Sequence, residues 1–345
     1  MNNKFFPSNF MFMIMMILGT IMSLSSSHWL MMWMGLELNL MGILPLMNIK
    51  TKNFEIESSM KYFIIQSLSS SLFIMTMIIM YLYSFSTFSM FNNTFMSSIM
   101  MLSLLIKLGS SPFHMWLPAM CKHISWMTLY LILTWQKLAP LFMLSFINFN
   151  YIIIIMCSLT SAILGSIQAI NQSSLQMIMV YSSISHLGWM LCSCSINNTL
   201  MFLYLLIYSM IIFPLFINMN YYSNHSTYSL TEQNYNMNKQ NIFIIMLILS
   251  LGGMPPMMGF LSKLMILYMM TKLNMLMLPL ILFMSTLISL YFYLNLTMMM
   301  MIKSFFLLNI NKMKMTTKSI MCLNMMSTII FIPMMMYAMN ILNKP

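Results

Sequence analysis

The sequence predicts an all-α integral membrane protein with eleven transmembrane helices, two of them discontinuous. Three observations carry that expectation. Of 345 residues, 60% are hydrophobic and 6% charged, with a mean hydropathy of +0.85, whereas a soluble domain carries about 25% charged residues. Apolar runs of about 20 residues, the length a helix needs to cross about 30 Å of hydrocarbon, recur from residue 9 to residue 341. Two of these runs are interrupted near their middle by Gly and Pro. A soluble helical protein would show amphipathic stripes instead, which excludes that class.

In chain order the spans are 9–25, 28–47, 60–83, 95–121, 125–144, 150–170, 174–195, 199–219, 241–271, 276–300 and 321–341. The first lacks a small-residue cleavage site and an Arg-rich lead, so it is read as a retained span. The fourth is broken at Gly109-Ser110-Ser111-Pro112 and the ninth at Gly252-Gly253-Met254-Pro255-Pro256. Pro removes a backbone donor and clashes with the preceding turn, and Gly loosens the helix. Backbone groups freed at membrane depth are tolerated only against protein or a wet cavity. A matched pair of broken spans points to a transporter's ion site and to internal repeats. The two breaks lie five spans apart, which fits two five-helix units of opposite orientation. The chain, 1–345, is expected to form one polytopic domain with a transporter core at roughly 60–300.

The charged residues are few and unusual. All basic residues are Lys, and the acids are Glu37, Glu55, Glu57 and Glu232. A net charge of +11 spread through loops and helices makes no basic stripe, so no nucleic-acid partner is expected. Loop lysines crowd the side of the membrane that holds the N-terminus, while the opposite side holds Lys272 and Lys344. That bias places the N-terminus inside and the C-terminus outside. The 54 methionines stand where Leu or Ile would serve equally well, and read as base-composition bias of the kind seen in animal mitochondrial genomes. Inside then means the matrix. Cys121, Cys157, Cys192, Cys194 and Cys322 have no metal-ligand spacing, and no metal site is expected.

Four ionisable groups fall inside spans: Glu37, Lys107, Lys137 and Lys263. On a lipid-facing helix each would cost about 2.5 to more than 10 kcal/mol, so they are expected to point inward. Snorkelling to the interface fits poorly, because Lys107 and Lys263 flank mid-span breaks and Lys137 is deep in an apolar run. A buried Lys whose distance to a carboxylate changes is a switchable proton carrier. Glu37, the only acid inside a predicted span, is the expected partner of Lys107. His114 and His186 lie among Ser110, Ser111, Ser182, Ser183 and Ser185. A structural role for these imidazoles stands beside a relay role, which imidazole serves by donating and accepting at once. His28 and His123 read as interfacial and His225 as loop.

The segments carrying these residues resemble the antiporter-like membrane subunits of respiratory complex I, the NADH:ubiquinone oxidoreductase. Lys107-Leu-Gly-Ser-Ser-Pro-Phe-His-Met-Trp-Leu-Pro118 is similar to the family's first broken helix. Thr134-Trp-Gln-Lys-Leu-Ala-Pro140 is similar to the helix that follows, and Tyr181-Ser-Ser-Ile-Ser-His-Leu-Gly-Trp189 to the next signature. Leu251-Gly-Gly-Met-Pro-Pro-Met-Met-Gly-Phe-Leu-Ser-Lys263 resembles the second broken helix, and Trp33-Met-Gly-Leu-Glu-Leu-Asn39 the early helix with the family's acid. Eleven spans rather than fourteen resemble the shortened form of bilaterian animals. One departure stands out: Gln176-Met177 replaces the family's usual basic pair, which puts any matrix-side contact of that pair in doubt.

The resemblance implies roles. Glu37 and Lys107 would be the family's Glu–Lys pair, Lys137 the connecting lysine of the central axis, and Lys263 the terminal lysine near the exit path. It implies a subunit of the proton-translocating NADH:ubiquinone reductase in the mitochondrial inner membrane, with no redox centre of its own. NADH, FMN, iron–sulfur clusters and ubiquinone would belong to other subunits. Neighbours would be chains 4 and 4L, accessory subunits and lipids such as cardiolipin, with phospholipid bound. Two alternatives stand beside it: a free-standing cation/proton antiporter, and a scaffold subunit that no longer pumps. A scaffold could replace its buried charges with Leu at a gain in stability, and this chain keeps all four.

Overall fold

The computed structural model describes residues 7–49, 52–84, 89–147, 151–225, 239–255, 257–275 and 277–306, which form helices and their connections with no strand among them. The predicted span 321–341, Pro256, Glu232 and Cys322 lie outside the described residues. The helices fall into two compact units that divide after Asn198. The first holds α1 (Pro7–Ser25), α2 (Trp29–Met47), α3 (Asn53–Ser84), α4 (Ser89–Leu108), α5 (Trp116–Cys121), α6 (Trp126–Leu133), α7 (Trp135–Phe146), α8 (Tyr151–Ile170) and α9 (Leu175–Ile196). The second holds α10 (Asn198–His225), α11 (Lys239–Gly252), α12 (Met258–Lys272) and α13 (Met277–Phe306).

Among the described residues, eight stretches are long and apolar enough to cross a bilayer on their own. The shorter apolar helices Phe95–Leu108 and Phe243–Gly252 are the leading halves of the two broken spans. The outward surface is what hydrocarbon requires: Phe10, Met75, Ile152, Met156, Met210 and Met284 are all exposed. In hydrocarbon the helix is favoured because it satisfies its backbone donors and acceptors internally.

Two predicted spans need correction. The third begins at Asn53 rather than residue 60, giving a 32-residue helix about 48 Å long, well beyond the about 30 Å of hydrocarbon. Its first turn carries Glu55, where a negative charge suits the helix N-terminus. Glu57 pairs with Lys61 at 2.6 Å, and Glu55 is buried, so Glu37 is not the only acid on a spanning helix. The fifth span, 125–144, is two helices with Thr134 between them at φ −119° and ψ −65°. Pro140 leaves the Gln136 carbonyl without its helical donor, and the Thr134 hydroxyl donates back to the Tyr130 carbonyl at 2.8 Å, a bond that bends helices.

Small residues let the inner helices approach closely. In the span of α9, 89% of the residues are buried, against 28% for α3 and for α13. A methyl at Gly188 would lie 2.6 Å from the Ser158 carbonyl oxygen, and one at Gly165 would lie 2.7 Å from the Ser185 nitrogen. α8 and α9 therefore interlock backbone against backbone, as small-xxx-small helix pairs do. α1 and α2 do the same, with Gly19 against Asn39 and Gly35 against Ser23. Gly188→Ala is expected to destabilise the protein by about 1–3 kcal/mol, the usual cost of overpacking. Thermal unfolding of the purified, lipid-embedded protein measures this, with the lipid-facing Ile152→Leu as the control that leaves the melting temperature unchanged.

Candidate functional site

The two breaks end their leading helices in the same way. Gly109 sits at φ +70° and Gly253 at φ +85°, the left-handed region that Gly enters without strain. At the first, the amides of Gly109 and Ser110 donate to the Ile106 and Leu105 carbonyls at 3.1 and 3.2 Å. At the second, Gly253 and Met254 donate to Ser250 and Leu249 at 3.2 and 3.4 Å. Both are Schellman endings. Pro112 and Pro255 follow, and the chain resumes as α5 and α12.

Side chains add to this capping by different chemistry at the two breaks. At the first break Trp116 Nε1 donates to the Ile106 carbonyl at 3.2 Å and Gln66 Nε2 to the Lys107 carbonyl at 3.3 Å. At the second, the Lys263 ammonium donates to the Gly252 carbonyl at 3.1 Å, a cation at the negative end of α11. A methyl on Gly253 would come 3.1 Å from Lys263 Nζ, and one on Gly259 would collide with the Ser250 carbonyl. Both glycines keep α12 seated against the end of α11.

All three intramembrane lysines lie inside the protein: Lys107 is 8% exposed, Lys137 2% and Lys263 7%. Lys137 Nζ donates to the Ser183 carbonyl of α9 at 3.0 Å. Lys107 Nζ has no hydrogen bond or ion pair with another described residue. Glu37 is half-buried and its field reaches Lys107, but no ion pair joins them, and Glu37 Oε1 has no hydrogen-bond partner among the described residues. The expected Glu37–Lys107 contact is thus a longer-range pairing in this state. His114 Nε2 meets Gln168 Oε1 at 2.9 Å while its Nδ1 is buried without a partner. His186 is buried on α9, one turn beyond Ser183.

Lys107 faces a polar cavity with about 20 Å³ of room for water centres, enough for about one molecule. Asn39, Tyr62, Gln66 and Gln136 line it together with Leu36, Leu40 and Pro140. Asn39 and Gln136 exchange two hydrogen bonds, each 2.9 Å. Reading the spans for charge alone misses these amides and Gln168. The signal was there: an amide left unpaired in an apolar medium costs about 2–7 kcal/mol, so each amide in a span calls for a partner. Gln176, at the departure from the family pattern, donates to the Ile124 carbonyl at 3.1 Å. No group of His, Cys, Asp and Glu able to hold a metal occurs among the described residues.

Comparison with known proteins places this architecture. Residues 26–289 match the family described as NADH:quinone oxidoreductase/Mrp antiporter, TM. NADH-ubiquinone oxidoreductase chain 2 of Anopheles gambiae is 39% identical over 279 residues, covering 78% of this chain and 79% of that one. Its namesake from Rhinoceros unicornis is 40% identical over 270 residues, 76% and 77% of the two chains. A chain of respiratory complex I from Thermus thermophilus shares the fold with a TM-score of 0.77 at 18% identity, covering 95% of this chain and 77% of its own.

Gly109→Ala and Gly253→Ala are each expected to cost about 1–2 kcal/mol, because a Cβ is strained in the left-handed region. Leu108→Ala and Leu251→Ala should instead show the ordinary large-to-small core loss of about 2–5 kcal/mol. Thermal unfolding of the four purified variants checks both expectations, the Leu variants losing more than the Gly variants.

Proposed function

This chain belongs to the NADH:quinone oxidoreductase/Mrp antiporter transmembrane family, and from that premise we propose how its buried lysines work. It is a core membrane subunit of NADH:ubiquinone oxidoreductase, and it carries protons across the mitochondrial inner membrane as a multi-pass protein. NADH oxidation and ubiquinone reduction, in the rest of the complex, supply the energy. One observation carries the mechanism: the buried Lys107 lines a water-sized polar cavity, and its ammonium has no hydrogen bond or ion pair with another described residue.

A buried ammonium in that position is stable only while a counter-charge or water supports it. Movement of the Glu37 carboxylate towards Lys107 favours the charged form, and movement away favours release of the proton to water. Lys137, held on the Ser183 carbonyl, is the next carrier. Lys263, held on the Gly252 carbonyl, is the terminal one. His114 and His186 supplement the path as relays. The core at roughly 60–300 is read as two five-helix units of opposite orientation, a reading supported by the shared Schellman endings of α4 and α11.

The N-terminus faces the matrix and the C-terminus the intermembrane space, as the excess of loop lysines on the N-terminal side favours. FMN, the iron–sulfur clusters and the NADH and ubiquinone sites belong to other subunits. Chains 4 and 4L are the proposed neighbours, and phospholipid, cardiolipin included, covers the exposed apolar faces.

Glu37→Gln and Lys107→Met, introduced into the assembled complex in sealed vesicles, are expected to lower the number of protons pumped per electron. NADH oxidation by an artificial acceptor, which bypasses the membrane arm, should stay at the level of the unmodified complex. Pumping at the unmodified ratio in both variants would show the switch to be wrong.

A further inference from the structure

Asn39 on α2 and Gln136 on α7 form a closed pair: Asn39 Nδ2 donates to Gln136 Oε1 and Gln136 Nε2 to Asn39 Oδ1, each at 2.9 Å. Tyr62 of α3 adds its hydroxyl to Gln136 Oε1 at 3.4 Å. The pair forms part of the wall of the cavity that Lys107 faces. It also joins the helix that carries Glu37 to the helix that carries Lys137, since Asn39 lies two residues from the one and Gln136 is the immediate neighbour of the other. The Asn39 backbone is pinned by its close approach to Gly19. Gln136 stands where Pro140 leaves its carbonyl without the helical donor, next to the irregular turn at Thr134.

Amide chemistry gives this arrangement a consequence. A water or a hydroxyl passes a proton by accepting on one side and donating on the other. A primary amide bonded through both its NH2 and its carbonyl has no proton to pass without changing tautomer. A closed amide pair is therefore an insulator in a water wire. Opening it exchanges two amide–amide bonds for amide–water bonds, and water-mediated bonds are nearly as good as direct ones. The net worth of each exchanged bond is small, so the open form is accessible.

We propose that the Asn39–Gln136 pair is the hydration gate of Lys107: closed, it confines Lys107 to a one-water cavity; open, it admits the water that continues the path towards Lys137. The proposal rests on the reading of Lys107 and Lys137 as proton carriers. The step balances simply. The Lys107 ammonium gives its proton to the water and keeps the nitrogen electron pair, the water passes a proton on, and a neutral Lys137 amine becomes the ammonium. No co-reactant enters.

The test uses the assembled complex in sealed vesicles and reads protons pumped per electron, the passive proton leak, and artificial-acceptor activity as the check on assembly. Asn39→Leu is expected to lower the ratio. Gln136→Glu, nearly isosteric but able to titrate, is expected to raise the leak several-fold. The swapped double variant Asn39→Gln with Gln136→Asn keeps two amides and their combined length, and is expected to recover more than about half of the loss. A purely structural role predicts no rise in leak for Gln136→Glu. If Asn39→Leu and Gln136→Glu both pump and leak as the unmodified complex does while Lys107→Met is impaired, the gate is wrong and the carrier reading stands. If Lys107→Met also pumps normally, the carrier reading itself has failed. Should Asn39→Leu not assemble, Gln136→Glu decides on the leak alone, and an unchanged leak in that variant overturns the gate.

Discussion

Hydrocarbon offers no partner to a hydrogen-bonding group, and that single constraint organises this protein. It favours the helix, whose backbone is satisfied internally, and it forces every interruption of a helix to be resolved by protein or water. The endings of α4 and α11 show the resolution in atomic terms. Three of the last carbonyls of α4 are taken by amides, a tryptophan ring and a glutamine. Those of α11 are taken by amides and a lysine. The same constraint turns Lys107, Lys137 and Lys263 inward and packs α9 on all sides.

The two breaks share a backbone solution but differ in what it does to the charge. Gln66 caps the Lys107 carbonyl with a neutral amide, and Lys107 lines a water-sized cavity. At the second break the ammonium is the cap, so Lys263 has a built-in ligand at the negative end of a helix. The Lys263 ammonium is thus part of the capping of α11, whereas the capping of α4 does not use the Lys107 ammonium.

Close helix approach is the second structural resource. Gly165 and Gly188 bring α8 against α9, and Gly19 and Gly35 bring α1 against α2. These contacts hold the helices that carry Asn39, Ser183 and His186 within tight tolerances, because any added methyl meets backbone rather than a flexible side chain. A polar network in low dielectric gains from such tolerance, since a partly satisfied one is costly. Apolar packing and polar chemistry are thus fitted to each other along α2 and α9.

Much of the fold was legible in the sequence because its physical cause is local. Hydropathy over about 20 residues marks a span, and Gly with Pro marks a break wherever it stands. The burial of the lysines followed from the energy of a lone charge in lipid, and the motifs around them carried the family. The extent of α3 was less legible, since its charged first turn continues the helix beyond the apolar run. The turn at Thr134 was hidden because neither Gly nor Pro stands there: Pro140 leaves the Gln136 carbonyl without a donor, and the Thr134 hydroxyl donates back to the Tyr130 carbonyl. Tertiary structure alone decided which groups meet: Asn39 with Gln136, 97 residues apart in the chain, and Lys137 with the Ser183 carbonyl. It also decided that Glu37 and Lys107 stand apart rather than bonded. The sequence determined which polar groups need a partner in the membrane, because that need is a property of each residue. The choice of partner belongs to the packing of helices, which depends on surfaces far apart in the chain and has no local signature.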